Sequence, residues 1–151
     1  MKTSDRLATE DAHQALVFID CAARLLGEDI PAGGPIRFFM DIEILAPTGF
    51  LVGHAIEISL GAYLRISGAR GSLSNHNLES RLAAAINAGL VVPEKFSNYV
   101  RALSPSHLKH QFRYANATPE AFVSPRHSIP VVRPELEKIR DHVLSIAENR
   151  S

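Results

Sequence analysis

Two groups of polar side chains in this sequence of 151 residues could do chemistry, and the first is the pair His54 and Glu57. The two residues stand three apart in a stretch that is otherwise almost wholly apolar. A buried carboxylate without a partner is strongly unfavourable, so Glu57 must meet a cation, share its proton in a hydrogen bond or line a wet cleft. We expect an arginine or histidine of another helix to be its partner, and Arg101 and Arg113 are the candidates.

The second group lies in a basic part of the chain. Residues 95–140 hold eight Lys and Arg against three Asp and Glu, although the whole chain is neutral. A basic surface there could bind phosphate, RNA or an acidic partner, and it would equally suit a solvated face. The residues of this segment that could contact a bound phosphate are Lys109, His110 and Arg113.

No residues are predicted to hold a metal ion or a cofactor. His107 and His110 stand three apart and would share a helical face, as two metal ligands do. A structural metal site needs about four ligands, however, and no carboxylate or thiol close in sequence completes the set. The sequence also has no glycine-rich phosphate loop and no dinucleotide fingerprint.

The element that must position His54 and Glu57 is a helix predicted over residues 47–68. It is apolar nearly all round, as a helix in the middle of a bundle is. The residues that interrupt its apolar surface fall three or four residues apart, which places them in one narrow line along the helix. These positions are His54, Glu57, Gly61 and Arg65.

Further helices are predicted on both sides of the central one. The first carries small apolar residues at helical spacing from Ala8 to Ala22 and ends at Gly27. Residues 36–45 fit a short helix or a strand, and we favour the helix because no second strand exists for pairing. The next helices begin at Ser74 or Asn75, at Pro93 and at Pro134. Ser104 and Pro105 are expected to interrupt the helix that begins at Pro93, and residues 115–132 to form a long surface loop.

These features predict a single all-α domain, a bundle of five to six helices. The chain is long enough to close a core, and its one cysteine fits a reducing cytoplasm. Its first residues do not resemble a signal peptide, and no apolar run reaches the roughly 18 residues of a membrane span. We therefore expect a cytoplasmic protein without a membrane partner.

Two successive runs resemble a known family. The run HAIEISLGAYLRISG is followed eight residues after Gly68 by HNLESRLAAAINAGL. Together they resemble the second and third helices of HEPN domains, the higher eukaryote and prokaryote nucleotide-binding superfamily. In those domains an apolar helix with a central Glu is followed by a turn and then by a second helix. The second helix starts with three consecutive residues: His, then Asp or Asn, then Leu. The matching residues here are Glu57, His76, Asn77 and Leu78.

The resemblance implies an all-α bundle that usually forms a homodimer. Many members of the family are metal-independent ribonucleases of toxin–antitoxin or antiphage systems, with an Arg followed by a His a few residues later. Three pairs have such a spacing here: Arg6 and His13, Arg70 and His76, and Arg101 and His107. Position favours the last pair, which lies in the later helix and in the basic segment.

If this pair is catalytic, the 2′-hydroxyl of RNA attacks the adjacent phosphorus. His107 then serves as general acid or base and Arg101 stabilises the charge that develops on the phosphate, with Glu57 and His54 in support. The competing hypothesis is a non-catalytic helical module that binds a partner protein, such as a cognate antitoxin, or a nucleotide. The sequence leaves both open.

Overall fold

A computed structural model describes residues 2–27, 38–69, 76–111 and 124–150, with side chains in the second range from residue 46 onward. All regular structure in these ranges is α-helical, which confirms the predicted all-α class. The helices are α1 (Thr3–Leu26), α2 (Phe38–Ser67), α3 (Leu78–Asn87), α4 (Glu94–Leu108) and α5 (Pro125–Asn149). None of the helices in the described ranges is long and apolar enough to cross a membrane.

Helix α2 is the centre of the bundle and packs against each of the other four helices described. From Val52 to Ile66 its side chains are buried on nearly every side, as the apolar sequence predicted. The helix is longer than expected, because residues 38–46 continue it in the N-terminal direction through Pro47. The preference for helix over strand is therefore confirmed from Phe38 onward.

Helix α1 packs along α2 through a stripe of small residues. Its buried positions recur at helical spacing and are mostly alanines, which lets the two backbones approach closely. Gly27 ends the helix with φ 73°, as predicted from its type. The buried apolar residues of α1 are Ala8, Ala12, Ala15, Leu16, Ile19 and Ala22.

Prolines stop fewer helices than the sequence indicated. Helix α4 continues through Pro105 to Leu108, so the predicted interruption is wrong. A proline removes one helical hydrogen bond, but the buried side chains on both sides of Pro105 hold the turn in place. Leu108 is exposed at the end of this helix.

Helix α5 begins nine residues earlier than predicted, at Pro125 instead of Pro134. Pro125 occupies the first turn, while Pro130 and Pro134 lie inside the helix. The buried side chains of Ile129 and Val132 pack into the core and fix this turn. The predicted loop 115–132 is therefore helical from residue 125, and residues 115–123 lie outside the described ranges.

Candidate functional site

The strongest concentration of polar groups surrounds the buried carboxylate of Glu57. His107 Nε2 lies 2.7 Å from one carboxylate oxygen, and His76 Nδ1 lies 2.9 Å from the other. Arg81 donates to this second oxygen at 3.2 Å and to the backbone carbonyl of Glu57 at 3.3 Å. We call these four residues the Glu57 cluster. An arginine and two histidines of other elements thus meet the need for a partner that the sequence predicted.

The charge on Glu57 fixes the protons of its neighbours. Burial by itself raises the pKa of Glu57, but the hydrogen bond from His107, the nearby His54 and the charge of Arg81 together hold this pKa well below its ordinary value. The group is therefore a carboxylate at neutral pH and can only accept hydrogen bonds. The imidazole nitrogens that face it, Nδ1 of His76 and Nε2 of His107, must then carry protons.

The guanidinium of Arg81 is the cation closest to the carboxylate in the described ranges. Its side chain is only 7% exposed. Burial lowers the pKa of Arg81, Glu57 raises it and Arg65 lowers it, with a net decrease. Burying such a pair is favourable only when hydrogen bonds satisfy both partners, and here they do.

The start of α3 positions His76. Asn77 caps this helix by accepting a hydrogen bond from the backbone N–H of Ser80 at 2.9 Å. Ser104 of α4 accepts from the N–H of Glu79 at 3.2 Å and donates to the Asn77 side chain at 3.3 Å. Ser104 therefore ties α4 to the first turn of α3. His76, just before this turn, and His107 of α4 each contact a different carboxylate oxygen of Glu57.

Gly53 makes room for the ring of His107. A Cβ atom at this position would lie 2.5 Å from His107 Nδ1, which is closer than side-chain contacts allow. The imidazole is 3% exposed, so it has little space to move away. Glycine in the interior of a helix is unfavourable by roughly 0.5–1 kcal/mol relative to alanine. Its presence here has a direct reason in the close approach of α4.

His54 lies beside the cluster without joining its hydrogen bonds. Its Nδ1 atom is 3.9 Å from the Glu57 carboxylate, too far for a hydrogen bond, and has no other hydrogen-bond partner in the described residues. The ring stacks on Phe50 and meets the edge of Phe18. The predicted supporting role of His54 thus reduces to proximity and ring packing.

A histidine occupies the turn that ends α4. His110 has φ 54°, and the N–H groups of His110 and Gln111 donate to the carbonyls of His107 and Ser106 at 3.0 Å and 2.9 Å. This is the Schellman arrangement, in which glycine is the usual left-handed residue. Any other residue is strained there by about 1–2 kcal/mol. The His110 ring lies 5.0 Å from that of His76, centre to centre.

The structure does not bring Arg101 and His107 together. Arg101 is exposed and donates to Asn98 on its own helix at 3.2 Å, whereas His107 points inward at Glu57. Six residues along a helix place the two side chains about 120° apart around the axis. The expected pairing of Glu57 with Arg101 is therefore wrong. Arg113, the other candidate, lies outside the described residues, as does Arg70.

Lys109 is the exposed C-cap residue of α4 and stands next to His110. Arg65, the last member of the polar line on α2, forms an ion pair with Asp11 of α1 and not with Glu57. The residues that were predicted to form one line on α2 therefore take part in two separate contacts. One is the Glu57 cluster, and the other is an ion pair at the edge of α1.

Sequence reasoning missed Arg81 and Gly53, and it named His76 only within the family resemblance and in an Arg–His pair that position did not favour. Arg81 stands on an apolar face between Leu78 and Leu82, so its position alone indicates burial. A buried arginine on one helix and a buried glutamate on another would have been a natural pair. No pattern in the sequence indicates the role of Gly53, since only the packing of α4 shows it.

The cluster can hold a proton-transfer group in a fixed orientation. His76 is 43% exposed at its side chain, while the atoms behind it are buried. With Nδ1–H donated to Glu57, its Nε2 is directed away from the carboxylate.

Comparisons of the chain with protein family models, curated proteins and solved structures find no match.

Proposed function

We propose that this chain is a HEPN-like, homodimeric, metal-independent endoribonuclease whose acid–base group is His76. The observation that carries the proposal is the half-exposed His76 ring, whose Nδ1 is anchored 2.9 Å from the ionised carboxylate of Glu57. A carboxylate that accepts from Nδ1–H holds the imidazole in the tautomer with a basic Nε2, and it stabilises the imidazolium that forms. The resemblance to HEPN domains covers the same two residues.

The chemistry follows from the orientation of the ring. His76 Nε2 takes the proton of the RNA 2′-hydroxyl, and the oxygen attacks the adjacent phosphorus. The bond from phosphorus to the 5′-oxygen breaks and leaves a 2′,3′-cyclic phosphate. His110, with its ring 5.0 Å away, gives a proton to the departing oxygen. Lys109 is exposed, precedes His110 in the chain and is a candidate contact for the phosphate.

This assignment gives His107 another role than the one expected from the sequence. A ring that is 3% exposed and bonded to Glu57 cannot contact RNA without a rearrangement of α4. His107 and Arg81 instead hold the carboxylate in place. Arg101, exposed on another face of α4, becomes a phosphate contact or has no part in the reaction.

The experiment is an RNA cleavage assay in excess EDTA with the purified chain. The unmodified protein should release fragments that end in 2′,3′-cyclic phosphate. His76→Ala should lose at least a hundredfold in rate, since general acid–base groups contribute roughly 10²–10⁴-fold. His127→Ala, at an exposed histidine of α5, is the matched control and should cleave normally. Unchanged cleavage by His76→Ala would refute the assignment.

Arg101→Ala and His107→Ala separate this assignment from the pair expected from sequence. Loss of cleavage in Arg101→Ala and His107→Ala, with His76→Ala active, would restore that pair as the site. The melting temperature of each variant must be measured, because His107 is buried and its removal affects folding. Sedimentation of the unmodified protein tests the dimer, and a single monomeric species would contradict it.

A second candidate function is a non-catalytic module for a partner protein or a nucleotide. The observation in its favour is that both carboxylate oxygens of Glu57 are satisfied within the bundle, as in a structural network. This function predicts no RNA cleavage at any protein concentration. It also predicts a rise in melting temperature with a nucleotide or with a cognate antitoxin.

A further inference from the structure

The Glu57 cluster contains the donor atoms of a metal site. One oxygen of Glu57 and one ring nitrogen from each of His76 and His107 all lie within 4.8 Å of one another. The three residues come from α2, from the residue before the cap of α3, and from α4. The sequence could not show this set, because Glu57, His76 and His107 lie far apart along the chain and meet only in the fold.

The chemistry of the three donors selects a class of cation. Two imidazole nitrogens and one carboxylate oxygen are the ligands of catalytic zinc sites, which keep a further position open. Magnesium and calcium prefer oxygen ligands and would gain little from two imidazoles. The set therefore fits Zn²⁺ and the similar divalent transition metals.

The distances need only a small adjustment. Ligands about 2.1 Å from a tetrahedral zinc ion lie roughly 3.4 Å from one another. The nitrogens of His107 and His76 now lie 2.7 Å and 2.9 Å from the Glu57 oxygens. These two distances run to different oxygens, and the three donor atoms of the set lie within 4.8 Å of one another, so one shared oxygen and the two nitrogens must shift by roughly 1 Å to admit the ion. His76, half-exposed, is the residue free to make this movement, whereas His107 is held beneath Gly53.

The surroundings supply both an outer contact and access. Arg81 donates to Glu57 and fixes the direction of the carboxylate, as groups behind metal ligands commonly do. The exposed side of His76 provides a path from solvent. The ring of His110 lies 5.0 Å from that of His76, close enough to take the open position in place of water.

We propose that Glu57, His76 and His107 form a binding site for Zn²⁺ or a similar transition metal ion. The metal takes the place of the two protons that now face the carboxylate, and each neutral ring then carries its one proton on the nitrogen that does not bind the metal. His76 Nε2 then carries that proton and cannot act as a base. Zinc binding therefore inhibits the reaction proposed above, and this consequence alone rests on the proposed function.

The experiment measures metal binding without RNA. The protein is stripped with EDTA and titrated with Zn²⁺ by calorimetry and with Co²⁺ by visible absorption, which reports four-coordinate cobalt. One equivalent should bind. His76→Gln should bind at least tenfold more weakly, and His107→Gln likewise. His13→Gln, at an exposed histidine of α1, is the control and should bind as the unmodified protein does.

Three results would overturn the proposal. They are no binding by the unmodified protein, binding that survives in His76→Gln, and Mg²⁺ binding as tight as that of Zn²⁺. His76→Gln decides the question even if His107→Gln does not fold, because His76 is half-exposed. Cleavage of RNA in EDTA is a separate measurement, so the nuclease can fail while the metal site stands, and the reverse.

Discussion

The two sides of α2 are buried by different kinds of contact, one apolar and one polar. Toward α1 the contact is a row of alanines with Ile19, and its polar link is the Arg65–Asp11 ion pair at the edge. Toward α3 and α4 the contact is built around a buried carboxylate and its donors. An apolar contact tolerates small shifts, whereas the polar one fails when a single partner is lost.

The two sides also differ in where their partners stand along the chain. The alanine stripe is periodic within one helix. The donors to Glu57 come from 19, 24 and 50 residues away. Local sequence patterns therefore predict the contact between α1 and α2. The contacts of Glu57 with α3 and α4 become visible only in the fold.

The largest expected effect is the loss of the carboxylate. Glu57→Ala leaves Arg81 buried without its counter-charge, and breaking such a pair costs about 3–5 kcal/mol of unfolding free energy. Ile19→Val on the α1 side should cost only about 0.5–1.5 kcal/mol. Urea denaturation of both variants measures the contrast. A smaller loss in Glu57→Ala than in Ile19→Val would break the comparison between the two sides.

Protonation of Glu57 in acid should also lower the unfolding free energy, by less than the Glu57→Ala substitution does. The pKa of Glu57 lies well below its ordinary value of 4.5 in the folded chain. A lowered pKa contributes stability above pH 4.5, and this stability is lost progressively as the pH falls toward the folded value. Glu57→Gln lacks this contribution at every pH. The difference in unfolding free energy between the unmodified protein and Glu57→Gln should therefore narrow as the pH falls from 5 to 2, because the unmodified protein loses the contribution. Parallel curves over this range would contradict the prediction.

Gly53→Ala should destabilise the protein by about 1–3 kcal/mol, as overpacking of a core does. The added methyl group would meet His107 Nδ1. In a His107→Ala background the collision is absent, and the same substitution should be neutral or favourable, since alanine is the better helix former. A double-mutant cycle by urea denaturation gives the coupling. Equal cost in both backgrounds would mean that the ring is not the obstacle.

His110→Gly should stabilise the chain by up to about 1 kcal/mol, because it relieves the left-handed strain at the end of α4. Helices α1 and α3 already have glycine at positive φ near their ends, at Gly27 and Gly89. If His110 serves the reaction proposed above, the stabilised variant should cleave RNA more slowly. Thermal melting and the cleavage assay test the two parts separately, and lower stability in His110→Gly would show that the strain is compensated.

The smallest effect belongs to the edge of the α1 side. Arg65 and Asp11 are 29% and 36% exposed, and such pairs contribute roughly 0.2–1 kcal/mol. Arg65→Met should therefore cost little, and the cost should fall further in high salt. Arg133→Met, which removes the exposed ion pairs with Asp20 and Glu137, is the control. A loss above about 2 kcal/mol would place Arg65 with the buried network.

Much of the fold was predictable, because helical periodicity marks each buried stripe within its own segment. The apolar α2, the alanine stripe of α1 and the end of α1 at Gly27 followed from residue types. The errors lie at prolines. Pro105, Pro130 and Pro134 indicate breaks by their local chemistry, but packing on both sides holds each one inside a helix.

The sequence predicts that Glu57 has a polar partner, but it does not identify which residues are the partners. A buried glutamate requires a partner, and the sequence showed that much. It could not choose among the arginines, because the choice depends on which helices meet at Glu57. Arg81 is selected over Arg101 since the first turns of α3 face α2, while Arg101 points to solvent.

The central place of α2 also bears on how the protein opens. Backbone amides exchange with solvent through local unfolding where a segment has few contacts, and through global unfolding where it has many. Helix α2 packs against each of the other helices described, so no part of it between Val52 and Ile66 can separate alone. Its amides should be the slowest to exchange with deuterium. The backbone amide of Glu57 should therefore exchange only when the whole bundle unfolds.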